Sequence, residues 1–198
     1  YIMQMALSPD GETLALNALL SDGEPATLLV DAQTGETRLS LPAPEPGLDS
    51  LAFSPDGSLL AVASDNTTQI WKLPEARKVA ELPAKMQVMC LQFSPDGQRL
   101  AAGVYNGQLL LYRGPSWQEV GAGMRHRWMV SSLQFSPSGQ SLVSCSIDGT
   151  ARLWDGHTGQ PRSPFLPHSS PVRLAAFRPD EQGIATAALD GTLREYVL

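Results

Sequence analysis

The chain has 198 residues, 42% of them hydrophobic and 17% charged, so it has the apolar content to bury a core, and its net charge of −6 argues against a polyanionic partner. The densest basic patch is Arg125-His126-Arg127, too few cations to neutralise several phosphates on one face, which disfavours nucleic acid and an anionic membrane surface. No apolar stretch approaches the roughly 18 residues of a spanning helix, no signal peptide is legible, and the 16 prolines and 17 glycines recur at fixed points, as turn punctuation rather than low complexity.

Tyr1 to Leu7 reads as a short strand, followed by the turn Ser8-Pro9-Asp10-Gly11. In that turn Pro presets φ near −65° and Gly accepts the positive φ that closes it. The phrase returns at intervals of about forty residues. It reads Phe53-Ser54-Pro55-Asp56-Gly57, Phe93-Ser94-Pro95-Asp96-Gly97, Phe135-Ser136-Pro137-Ser138-Gly139 and Phe177-Arg178-Pro179-Asp180. A second marker follows each phrase: Val30-Asp31, Trp71-Lys72, Tyr112-Arg113, Trp154-Asp155 and Tyr196-Val197. Two markers locked to one period mean stacked copies of a single supersecondary unit. The units span 1–46, 47–86, 87–128, 129–170 and 171–198, one repeat domain without a linker. The first is the most divergent, with Val30 in the second marker and an enlarged hairpin from Asn17 to Ala26.

The fourth unit is the clearest. Met129 to Phe135 is a mostly apolar strand, and Ser141 to Ser146 a second. Asp148-Gly149 signals a two-residue hairpin of the I′ kind, and Ala151 to Trp154 is the third strand. Gln160 to Leu166 reads as a polar outer strand, because Pro161 and Pro164 are tolerated only at a sheet edge. The inner strands are nearly continuous in apolar character, so both faces must be covered. Small four-stranded antiparallel meanders covered on both faces stack on copies of themselves, and strong twist fans such a stack about an axis: an all-β chain with a β-propeller fold. No helical periodicity opposes this. Cys90 and Cys145 lie in different units inside apolar strands and read as buried thiols, which fits a reducing compartment and a cytoplasmic location.

The period, the Phe-Ser-Pro-Asp-Gly phrase and the ending Asp148-Gly149-x-x-x-x-Trp154 resemble WD40 repeats over essentially the whole chain. That resemblance implies a hydrogen-bonded set in each sheet, linking a His before the first strand, a Ser or Thr in the second, an Asp in the hairpin and a Trp in the third. In the fourth unit these are His126, Ser144, Asp148 and Trp154, and in the fifth, with the same spacing, His168, Thr186, Asp190 and Tyr196. The third unit has Ala84, Ala102, Asn106 and Tyr112 there, and the second has Ala61 in the hydroxyl position beside Trp71, so both are expected to rely on apolar packing. WD40 rings resemble a closed circle of about seven such sheets. Five units therefore imply part of a larger ring, with about two further units and a closing strand upstream of Tyr1. Completion by a second copy and a closed five-unit ring are the alternatives.

Ser144, His126 and Asp148 have the composition of a hydrolytic triad, but a hydroxyl inside a sheet with Trp154 as its partner has no access to substrate. His126, His157 and His168 show no metal-ligand spacing, and Gly121-Ala122-Gly123 lacks the Lys and Ser/Thr of a phosphate loop. No catalytic, cofactor or metal residue is expected. In the family, partner contacts gather where the first strand begins and the hairpin turns. The resemblance thereby implies a face carrying Tyr1, Met3, Met89, Met129 and Arg173, with Tyr105, Ile147 and Leu189 from the hairpins; Trp128 is a further anchor. Met, aromatic and aliphatic groups with one Arg suit a protein-binding surface.

The expected function is thus a non-catalytic scaffold for a protein or peptide partner, or for other domains of the same parent chain. The turns at 31–36 and 155–160 look like bacterial WD40 repeats, often C-terminal modules fused to kinases, NTPases or proteases, so an enzymatic parent is compatible with a non-enzymatic segment. The competing class is the propeller of a hydrolase. The Ser-Pro-Asp-Gly phrase also resembles TolB-like and prolyl-oligopeptidase propellers, and five-unit glycosidases would need carboxylates converging on a central channel. The Asp-Gly-Thr-x-x-x-Trp/Tyr ending with its upstream His favours WD40.

Overall fold

The computed structural model describes residues 2–20, 23–42, 50–121 and 123–198, with the side chains of residues 2 and 3 outside that description. The described residues form nineteen strands and no helix. Two compact units divide the chain, Tyr1–Leu91 and Gln92–Leu198.

The first unit holds two antiparallel four-stranded meanders. One runs β1 (Ile2–Leu7), β2 (Thr13–Leu19), β3 (Pro25–Asp31), β4 (Thr37–Pro42). The other runs β5 (Leu51–Phe53), β6 (Leu59–Ser64), β7 (Thr67–Lys72), β8 (Arg77–Pro83). β6 is buried from Leu60 to Ser64 without alternation, as a strand covered on both faces must be. Ala15, Leu29 and Leu41 of one sheet pack with Leu51, Leu60, Val62 and Trp71 of the other, and Leu39, Phe53 and Leu73 close over this core.

β9 (Val88–Phe93), β10 (Arg99–Val104), β11 (Leu109–Arg113) and β12 (Gln118–Val120) make the third sheet. The fourth is β13 (Val130–Phe135), β14 (Ser141–Ser146), β15 (Thr150–Asp155) and β16 (Leu166–Pro167), and the fifth is the three-stranded β17 (Val172–Phe177), β18 (Gly183–Ala188), β19 (Leu193–Val197). In the second unit Val143, Cys145, Ala151 and Leu153 pack against Val172, Ala175 and Ile184, joining fourth sheet to fifth. Both cysteines keep their thiols, Cys145 buried and Cys90 half-buried.

The repeated phrase works as a turn in every unit. Gly11, Gly57, Gly97 and Gly139 each donate N–H to the Ser carbonyl three residues back, at 2.8–2.9 Å. In the fifth unit Glu181 takes the glycine's place at φ 56°. Its carboxylate reaches the Ser138 hydroxyl (2.7 Å), supplying the fourth turn with the acid that Ser138 lacks.

Two local readings change. The β14–β15 hairpin is not type I′, because only Gly149 has positive φ (82°) and its N–H donates to Ser146 O; it is a type I turn closed by a left-handed glycine. The outer strand of the fourth sheet is also broken. Pro161 and Pro164 have no N–H to give, and Arg162 N–H between them donates to Leu153 O (2.9 Å); Leu153 N–H donates to the side-chain Ser163 Oγ (3.1 Å) instead of a backbone carbonyl, and regular pairing resumes only at Leu166.

Candidate interaction sites

The fourth sheet closes a polar chain in its interior. Trp154 Nε1 donates to Ser144 Oγ (2.8 Å), Ser144 Oγ lies 2.7 Å from His126 Nε2, His126 Nδ1 lies 2.9 Å from Thr150 Oγ1, and Thr150 Oγ1 donates to Asp148 Oδ1 (2.6 Å). A carboxylate only accepts, so Thr150 gives it its proton and takes one from Nδ1. Nε2 then accepts from Ser144, whose other lone pair receives the indole. Every group is satisfied by one tautomer. The sequence expected Asp148 to meet His126 directly; Thr150 stands between them, with Asp148 Oδ2 3.6 Å from the ring nitrogen. Burial pushes the Asp148 carboxyl up, but the His126 ring, the Thr150 hydroxyl and the Arg127 N–H hold it well below the usual carboxylate range. Phe165, 5.6 Å from the His126 ring, and Arg152, stacked between Phe165 and Trp154, cover the set. Ser144 is fully buried, so this trio offers no nucleophile to a substrate.

The fifth sheet makes one link of that chain. His168 Nε2 meets Thr186 Oγ1 at 2.8 Å, but His168 Nδ1 and Tyr196 Oη are buried without a partner, and Asp190 is bound by Thr192 and Ser169 instead. Tyrosine has no indole N–H to give Thr186, and Thr192 turns its hydroxyl to Asp190 alone. Burial and the Arg194 charge, only partly opposed by Asp190, lower the His168 pKa. In the second sheet Trp71 Nε1 has no partner beside Ala61, and in the first Thr27 donates to Asn17 Oδ1 (2.7 Å). Burial, with the Glu119 charge, pushes the Tyr112 phenol of the third sheet up to about 12.

Between sheets the second unit is stitched by residues that repeat reading passed over. Gln92 Oε1 accepts from Phe135 N (2.6 Å) and Gln134 Oε1 from Phe177 N (2.9 Å). The available signal was a Gln just before the phrase Phe in adjacent units, where Ala52 and Ala176 stand in others. Ser131 Oγ donates to Val172 O (2.6 Å). Arg99, fully enclosed, ties the third phrase turn to two turns of the fourth sheet through Gly139 O and Gly156 O.

The proposed contact residues divide between the units. Tyr1 and the Met3 side chain lie outside the described residues, and Met89 of β9 is half-buried. In the second unit Tyr105 (47% exposed) and Leu189 (62%) stand on hairpin tips, Arg173 is exposed on β17, and Met129 and Ile147 are half-buried. Hairpin tip and strand start meet at one end of the fourth and fifth sheets: Ile147 N–H donates to Met129 O (3.1 Å) and Leu189 N–H to Pro171 O (2.9 Å). The β10–β11 tip lies against the backbone of His126 and Trp128, so closely that a Cβ on Gly107 would sit 2.4 Å from His126 O. Trp128, 61% exposed, therefore shares this rim with Tyr105. Among the described residues the side chains of Arg125, Arg127 and Arg173 make no ion pair.

Comparison with known proteins gives a consistent match. The family model for the WD domain, G-beta repeat (WD40), matches residues 35–72, 77–113, 121–155 and 159–196. The periodic tryptophan protein 2 homolog of Schizosaccharomyces pombe is 32% identical over 110 residues, 54% of this chain and 12% of that protein. The small ribosomal subunit protein RACK1z of Oryza sativa subsp. japonica is 32% identical over 121 residues, 57% of this chain and 35% of that protein. The β-propeller domain of Cps50 (Swd1) from Myceliophteria thermophila superposes with a TM-score of 0.81 at 16% identity, over all of this chain and 65% of that one. The chain thus matches a minor part of these curated relatives.

Proposed function

The chain belongs to the WD40 family and has a β-propeller fold, and from that premise we propose that it is a non-catalytic docking module whose second unit holds a protein or peptide against its hairpin end. The supporting observation is the exposed aromatic and aliphatic rim of Tyr105, Trp128 and Leu189, accompanied by arginines with no ion pair of their own. Large apolar groups flanked by available guanidinium groups are what protein-binding hot spots are made of. Proteins that match this chain include one named as a small ribosomal subunit protein, a component of an assembly, which accords with a scaffold role.

The five sheets are read as part of a larger ring. Exposed Met5 and Leu7 on β1, and exposed Leu174, Leu193 and Val197 on the fifth sheet, are apolar surface of the kind the inner sheets bury. Further sheets of the parent protein cover it in this reading, and a second copy is the alternative. A cytoplasmic location goes with the two thiols.

The test is affinity capture with the triple variant Tyr105→Ala/Trp128→Ala/Leu189→Ala, three exposed positions, with the melting curve recorded as the control for intact folding. Loss of the polypeptides captured by the wild-type chain supports the reading, and undiminished capture refutes it.

A further inference from the structure

The third sheet's phrase turn encloses a cation. Arg99 is 2% exposed; its Nη2 donates to Asp96 Oδ2 (2.8 Å), its Nη1 to Gly139 O (2.9 Å) and Gly156 O (2.8 Å), and its Cζ lies 5.5 Å from the centroid of the Phe135 ring. Carboxylate, two carbonyls and an aromatic face make a complete guanidinium seat.

The repeat maps that seat onto the first unit. Thr13 stands where Arg99 stands, Asp10 where Asp96, Phe53 where Phe135 and Gly57 where Gly139; Leu73, two residues past Trp71, stands where Gly156 follows Trp154. The two places share one backbone bond: Leu73 N–H donates to Ser58 O (2.8 Å) as Gly156 N–H does to Gln140 O (2.8 Å). A Cβ on Gly57 would lie 3.8 Å from Pro9 Cδ, and one on Gly139 would lie 3.3 Å from Pro95 Cδ. All five counterparts line a single cleft of about 490 Å³, whose floor is the half-buried apolar edge of the first unit's core. Threonine is too short to fill it.

The electrostatics suit a cation. Asp10 Oδ1 accepts from the Ser8 hydroxyl and from Glu12 N–H (3.0 Å), but Oδ2, the atom that in Asp96 receives Arg99, has no hydrogen bond among the described residues. Asp56 adds a second carboxylate to the lining. Arg38, which lines the cleft, is paired with Asp31 and donates to Thr13 Oγ1 (3.2 Å); its charge acts on Asp10 from a distance, but among the described residues neither Asp10 nor Asp56 forms an ion pair. The hydroxyl of the preceding Ser and a backbone N–H hold Asp10 and Asp56 below the usual carboxylate range, and both are charged at neutral pH.

We propose that this cleft binds an arginine side chain presented by a partner polypeptide, with Asp10 Oδ2 as counter-ion, the Phe53 ring as stacking face, and the carbonyl oxygens of Gly57 and Leu73 as acceptors. The planar fork of a guanidinium reaches a carboxylate and two carbonyls at once, whereas an ammonium is a point charge that does not span them. The site lies in the other unit from the docking rim and is independent of it.

The probe is an acetylated, amidated five-residue peptide with one central Arg, compared with its Lys counterpart by NMR titration of the chain. The Arg peptide is expected to shift the amides of Gly57, Ser58 and Leu73 saturably, and the Lys peptide to bind at least tenfold more weakly. Asp10→Asn is expected to weaken the Arg peptide at least fivefold. Thr13→Arg supplies the guanidinium from within, so it is expected to abolish peptide binding and raise the melting midpoint by about 2–4 °C. Absence of saturable shifts, equal binding of Arg and Lys peptides, or indifference to Asp10→Asn overturns the proposal. Asp10→Asn is a near-isosteric change on an exposed turn and carries the test should Thr13→Arg fail to fold.

Discussion

Ser144→Ala is the sharpest probe of the fourth sheet. The hydroxyl accepts the indole N–H of Trp154 at 2.8 Å and serves His126 Nε2 at 2.7 Å, and all three side chains are buried. The substitution removes one oxygen and strands two polar groups where no water reaches them. At about 1–3 kcal/mol for each unsatisfied buried group, the expected loss is about 2–6 kcal/mol. For a chain of this size that lowers the melting midpoint by about 4–24 °C. Urea denaturation followed by tryptophan fluorescence measures it, with an unchanged m-value showing that the denatured state is the same. Trp154→Phe removes one of the stranded donors in advance, so in a double-mutant cycle Ser144→Ala should cost about 1 kcal/mol less in that background. A loss below about 0.5 kcal/mol for Ser144→Ala alone, well short of one stranded group, would refute the buried chain of hydrogen bonds.

Arg99→Lys should destabilise by about 1.5–3 kcal/mol in the same assay, because an ammonium cannot serve Asp96, Gly139 O and Gly156 O together. Gly156→Ala should cost about 1–3 kcal/mol or prevent folding, since its Cβ would lie 2.4 Å from Gly139 O, a backbone atom that cannot step aside. Stability should fall in two stages on acidification. The His168 pKa is depressed in the folded state, so stability is complete above its unfolded value, about 6.5, and declines as pH falls below it; His168→Gln should flatten that limb in thermal melts from pH 7.5 to 5. The Asp148 carboxyl is also depressed, so its contribution is present above about pH 4 and lost below it, and Asp148→Asn should remove that lower limb.

The parts of the fold that read directly from the sequence are those encoded locally. A Pro-Asp-Gly turn, a run such as Leu60 to Ser64 and an aromatic marker each carry their own signal, and their common period supplies the stacking. The hydrogen-bonded set of the fourth sheet was implied by the resemblance to WD40 repeats, and its spacing recurs in the fifth. What the spacing could not convey was Thr150 in the middle of the chain, since a hydroxyl next to a hairpin glycine is an ordinary turn residue until its χ1 is known. That the fifth set ends differently was legible in the identity of Tyr196, which has no indole N–H to give. Arg99, Gln92 and Gln134 were illegible for another reason. Each acts across sheets, on a backbone atom about forty residues away, and a backbone carbonyl or amide leaves no mark in a sequence. The outer strand of the fourth sheet looked regular because two prolines permit an edge strand. That they also remove the donors needed to pair it became evident only in the pattern of bonds around Ser163.

The docking account is tested most directly by photo-crosslinking from position 128. A benzophenone amino acid in place of Trp128, 61% exposed on the hairpin rim, is predicted to cross-link to a discrete polypeptide in cells. The same group in place of Arg77, exposed on the outer strand β8, is predicted to give none of that product. Identical products from both positions, or none from position 128, would contradict it.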